Sequence, residues 1–140
     1  MTTQNNNLAW PLILTFLIIL GWIAFEGILT LVVGVGLTLT LLWVAVGASR
    51  VWPAIQFRFP SLTGLRGRLL AWSAVGGLVG LTSPLMILSL MIFKTGIHAH
   101  GPEFNPAEIE WVLSQFFRWS VLGMAIGFGV GLLVSAFRDD

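Results

Sequence analysis

The amino-acid sequence predicts an all-α membrane protein of four transmembrane helices, arranged as two helical hairpins, with an amphipathic extension at the start of the fourth helix. Three observations carry this. Hydrophobic residues make up 56% of the 140 residues, charged residues only 9%, and mean hydropathy is +0.92; a soluble domain of this size needs far more charge to cover its surface. The apolar residues form runs long enough to cross a hydrocarbon core of about 30 Å. The few charges fall between those runs rather than inside them. The chain therefore reads as one integral membrane domain, 1–140, with spans at 8–25, 28–48, 69–93 and 119–137.

Residues 8–49 are apolar apart from Glu26. As a single helix they would run roughly 60 Å, about twice the membrane core, so they must fold back. Glu26-Gly27 is the natural turn, because it joins the segment's charge to a residue free to adopt positive φ. The other reading of Glu26 is an intramembrane proton carrier, since an ionisable group at depth is expensive and kept for use. Carriers sit mid-span, however, and Glu26 falls where the chain reverses. The third span contains Pro84, tolerated where hydroxyls such as Thr82 and Ser83 donate to freed carbonyls, and a modest kink is expected. The fourth span is led in by a helix start: Asn105 as N-cap, Pro106 at the first helical position and Glu108 at the third.

Between spans two and three, 49–68 mixes Arg50, Arg58, Arg66 and Arg68 with Trp52, Phe57 and Phe59, and Pro53 and Pro60 are expected to break it into a loop. Aromatic rings sit at headgroup level and guanidinium groups meet lipid phosphates, each basic group contributing roughly 1 kcal/mol near an anionic surface. Arg50, Trp52, Arg58, Arg66 and Arg68 are thus the candidate lipid-interface residues, with anionic lipids as partners; the acidic surface of another protein is the alternative. With Arg138 these arginines place five of the seven basic residues on one side, against Lys94 and Arg118. A multi-pass protein is expected, with both termini and the arginine loop in the cytoplasm and 94–118 outside. The opening MTTQNNN lacks the basic region of a cleaved leader, so none is expected. Without cysteines there are no disulfides or thiolate metal sites. A net charge of +1 argues against nucleic acid.

Both histidines and three of the six carboxylates fall within the polar island 96–110. His98, His100 and Glu103 offer up to three ligands to a divalent metal, and either histidine offers a single axial ligand to a chlorophyll-type pigment. Residues two apart share a face on a strand but diverge on a helix, so the spacing alone does not decide between these. The pair is too close to grip opposite faces of a haem, which excludes a bis-histidine haem within this chain. Structural hydrogen bonding, contact with a neighbour and pH sensing are the other readings.

Gly76 and Gly80 in span three, and Gly123, Gly127 and Gly131 in span four, recur every four residues and present smooth stripes for close helix contact. They serve either packing within this bundle or docking against another protein's helix or a flat cofactor such as a chlorin or quinone. From Pro106 onward, apolar Ile109, Val112, Leu113 and Phe116 are expected opposite Glu108, Ser114, Gln115 and Arg118, with Trp111 and Trp119 as interfacial anchors. Glu110, Ser114 and Arg118 form a polar stripe.

No nucleophile with a base, phosphate loop or HExxH pair can be assembled, so an enzyme is not expected. The expected function is a non-catalytic accessory subunit of a larger membrane complex, photosynthetic or respiratory by analogy of class, in contact with other integral membrane subunits. A small oligomeric transporter is the second reading, its pore lined by Thr30, Thr38, Thr40, Ser73, Thr82, Ser83 and Ser89. A metal- or chlorin-binding subunit using the His98 and His100 loop is the third.

Overall fold

The computed structural model describes residues 8–25, 28–60, 64–97 and 103–137. They form four helices, α1 (Ala9–Ile23), α2 (Leu29–Arg58), α3 (Leu65–Ile97) and α4 (Pro106–Ala136), and no strand occurs among the described residues. With 30, 33 and 31 residues, α2, α3 and α4 are each roughly 45–50 Å long, apolar enough and long enough to cross a membrane.

The first helix is different. Its 15 residues cover only about 22 Å, less than the hydrocarbon core, so the span expected at 8–25 is a shorter apolar helix. No side chain caps its start at Leu8, and its last turn closes where the Phe25 N–H donates to the Trp22 carbonyl. The turn expected at Glu26-Gly27 lies outside the described residues.

The arginine segment is a second correction. Most of 49–68 is helical: α2 continues through Pro53 to Arg58, and α3 starts at Leu65. Pro53 is accommodated because the carbonyl its ring deprives of a donor belongs to Ser49, an exposed residue near the end of the apolar run, where solvent or headgroups can supply the missing hydrogen bond. Pro60 does end the helix. Phe59, the residue before it, is pushed out of the helical region to φ −131°, ψ 76°, while its N–H still donates to the Ile55 carbonyl at 2.8 Å. Pro84 lies inside α3, with the Ser83 hydroxyl donating to Val79 and the Thr82 hydroxyl to Leu78. Neither reaches the Gly80 carbonyl that Pro84 leaves without its helical donor.

The start of α4 forms the cap its residues predict. Asn105 Oδ1 accepts from the Glu108 N–H at 2.9 Å, and the Asn105 N–H donates to Glu108 Oε2 at 2.8 Å, a reciprocal capping box with Pro106 behind it. Asn105→Ala is expected to lower stability by about 1 kcal/mol, read as a shift in thermal unfolding in detergent. The face that α4 buries in its first turns matches the one its pattern predicts only in part. Val112 and Gln115 are buried, whereas Ile109 and Leu113 are exposed. Gln115 tolerates burial because its amide donates to the Trp111 carbonyl at 3.0 Å and to Ser114 Oγ at 2.8 Å.

Successive helices pack in chain order: α1 on α2, α2 on α3 and, most extensively, α3 on α4. A hydrogen bond from Trp43 Nε1 to Thr15 Oγ1, at 3.0 Å, ties α2 to α1. The buried cluster draws Trp22 from α1, Val32 and Leu39 from α2, Ile87, Leu90 and Met91 from α3, Val112 from α4, and Phe104 from the connection before it. The core therefore sits toward the end where α3 passes to α4. Toward the opposite, arginine-bearing end a groove opens between α2 and α3.

Candidate functional site

Lys94, the chain's sole lysine, lies in the last turn of α3 just beyond the apolar run, and its side chain is 0% exposed. Isolated burial of an ammonium group is strongly unfavourable, so its partners decide what it does. Three of them converge. Lys94 Nζ donates to the Phe25 carbonyl at the end of α1, lies 3.6 Å from Glu103 Oε2, and stands 5.0 Å from the centre of the Trp22 ring. A carbonyl dipole, a carboxylate and an aromatic face replace the water the cation has lost.

The elements deliver these groups for local reasons. Trp22 is turned inward by the buried side of α1, and the closing turn after it aims the Phe25 carbonyl at α3. Glu103 stands just before the capping box of α4, and Phe104 between them is 3% exposed, locking the connection onto the core. One cation thus joins the end of α1, the end of α3 and the start of α4. Sequence reasoning treated Lys94 only as a charge that sets orientation and missed Trp22 and Phe104. The available signal was a lone lysine directly after an apolar run, with a glutamate in the connection that follows.

The histidine site divides. His98 and His100 lie outside the described residues, and Glu103 is engaged with Lys94. Drawing Glu103 onto a metal would strip a buried ammonium of its counter-charge. Among the described residues, no three His, Cys, Asp or Glu side chains converge on one point.

The five glycines form the α3–α4 contact. A Cβ added to Gly76 would fall on the Gly123 carbonyl, one on Gly80 on the Trp119 carbonyl, and one on Gly127 on the Trp72 carbonyl. Gly131 approaches Leu69 and Trp72. The backbones touch directly, and these stripes are consumed inside the bundle, leaving no flat surface there for a macrocycle. Of the hydroxyls expected as a pore lining, Thr40, Thr82 and Ser89 border one space between α2 and α3, while Thr38 faces outward and Ser83 is buried. The hydroxyls of Thr38, Thr40, Thr82, Ser83 and Ser89 each donate to a carbonyl four residues back in their own helix. Glu110, Ser114 and Arg118 are all exposed, and the Trp111 and Trp119 rings meet edge to face at 6.1 Å. Arg50, Arg58 and Arg66 are exposed, while Trp52 and Arg68 are half-buried.

No family model, curated protein sequence or solved structure matches the chain.

Proposed function

We propose that this chain is a non-catalytic structural subunit of a larger membrane complex and that α2 presents its outer face to a neighbouring subunit. The observation that supports the reading is the division of α2 into two faces. Val32, Gly36 and Leu39 are buried toward the bundle. On the opposite side Thr30, Gly34, Thr38, Ala45 and Ser49 are exposed and small, a stripe interrupted only by Leu41. Its polar atoms are quiet, because Thr38 donates to the Gly34 carbonyl and Ser49 to the Val46 carbonyl. Small residues gain little from lipid, whereas a helix can approach them closely and gain dispersion contact along its length.

The Lys94 cluster supports a structural role as well, since its charges face one another and join elements rather than line a path. In this reading the chain crosses the membrane as two hairpins, with the bilayer thinned around the short α1, the first turns of the continuous α4 project from the outer surface, and both termini and the arginines are cytoplasmic. A photosynthetic or respiratory assembly belongs to the same proposal by analogy of class.

The chain has no cysteine, so single-cysteine cross-linking reads out cleanly. In native membranes Gly34→Cys is expected to cross-link to a different, stoichiometric polypeptide, and Ile92→Cys, on a 74% exposed position of α3, is not. A chain that purifies alone in mild detergent and gives no adduct from Gly34→Cys removes the proposal.

A further inference from the structure

The helices α2 and α3 touch at Gly36, where an added Cβ would strike Ile87, whereas a Cβ added to Gly47, nearer the arginine end, would meet nothing within 4 Å. Between them lies a groove of about 890 Å3, walled by residues such as Trp43, Val51, Ile55, Leu70, Val75 and Leu78. Thr40, Thr82 and Ser89 border it, but each hydroxyl is bonded within its own helix, so the wall makes no polar demand on what fills it. Along α3 the groove runs from Leu70 to Ser89, roughly 28 Å. A long groove with an almost wholly apolar wall suits a flexible hydrocarbon chain, which needs no hydrogen-bond partner along its length.

Charge at the mouth selects the headgroup. Arg58 follows groove-lining Ile55 by three residues, which keeps it on the groove side of α2, and Arg66 precedes Leu70, at the edge of the groove, by four, which puts it beside the groove's rim. Both are exposed. The first turn of α3 adds N–H groups that have no partner within the helix, pointing toward the same end. No acidic residue occurs from 28 to 97 to oppose them. Two guanidinium forks beside a helix start match a phosphate, which each can grip through paired donors. We infer that the groove between α2 and α3 is a binding site for an anionic phospholipid, with its tails between the helices and its phosphate against Arg58 and Arg66. This stands independently of the subunit proposal, because Thr30, Gly34, Thr38, Ala45 and Ser49 of the outer stripe are not among the residues that line the groove.

The full chain in detergent, titrated with phosphatidylglycerol or phosphatidylcholine carrying brominated acyl chains, tests it. Trp43 and Trp52 border the groove, so bromine seated there quenches their fluorescence. Quenching is expected at about tenfold lower concentration of phosphatidylglycerol, and native mass spectrometry is expected to retain that lipid. The doubly substituted R58Q/R66Q chain, altered only at exposed positions, is expected to lose the preference while keeping its thermal transition. Ala74→Phe, which plugs the groove and leaves the arginines in place, is expected to lose the quenching. Equal response to both lipids, a preference that survives R58Q/R66Q, quenching that survives Ala74→Phe, or a co-purifying polypeptide seated in the groove would each overturn the inference.

Discussion

Gly80→Ala is expected to destabilise the folded chain by about 3 kcal/mol, whereas Gly34→Ala is expected to leave it unchanged or to strengthen it by about 0.5–1 kcal/mol. Both are single methyl additions in the middle of apolar helices, so propensity alone predicts the same small gain. The difference is what the methyl meets. At Gly80 it falls on the Trp119 carbonyl and the start of Ser120, which are backbone atoms that no rotamer change can move aside. Relief requires α3 and α4 to separate, opening the most extensive contact in the bundle. At Gly34 nothing lies within 4 Å. Thermal unfolding in detergent followed by circular dichroism reads both, and Gly76→Ala should behave as Gly80→Ala does because its methyl would strike the Gly123 carbonyl. Equal shifts at positions 34 and 80 would show that α3 and α4 do not meet along these glycines. Gly34→Ala gains a second use in the native complex, where a bulkier outer face of α2 should weaken subunit association without weakening the isolated chain.

Lys94→Met is expected to lower stability by about 3–5 kcal/mol, because it leaves Glu103 facing a buried site without its cation. Methionine preserves much of the aliphatic length, so the loss reports charge rather than volume. Glu103→Gln is expected to cost less than Lys94→Met. Glu103 keeps 14% exposure against none for Lys94, and in that variant the ammonium group still has the Phe25 carbonyl and the Trp22 ring. The combination Lys94→Met with Glu103→Gln is expected to recover part of the loss, since a buried pair exchanged for neutral groups is often close to neutral overall. Unfolding midpoints of the four proteins give the coupling. Single changes that are small and simply add would sink the account of Lys94 as the junction of α1, α3 and α4.

What could be read from the residues is what short-range physics controls. The Asn105 cap depends on residues three apart, and the termination at Pro60 depends on the residue beside it. Pro53 shows the limit. A proline breaks a helix when the freed carbonyl has no other donor, and whether it has one depends on where Ser49 lies relative to solvent, which composition does not state. Gln115 and Ile109 make the same point about amphipathicity. The buried side of α4 is set by where Phe104 and α3 lie, and a glutamine whose amide bonds to its own helix can be buried while an isoleucine remains exposed. Part of the site reading falls beyond this test, because His98 and His100 lie outside the described residues.

The sequence by itself determined the helical class, three of the four expected spans as long apolar helices, the capped start of α4 and the spacing of the glycines. Each follows from composition or from residues within a turn or two of one another. Only the tertiary structure decided that the glycines of α3 and α4 meet each other, that Lys94 turns inward to Glu103 and the Phe25 carbonyl, and that a groove opens between α2 and α3 toward the arginine end. The reason is physical. In an apolar chain nearly every helix face is compatible with lipid, so hydrophobicity does not choose which faces pair. Close approach of backbones and the need to neutralise one buried cation make that choice.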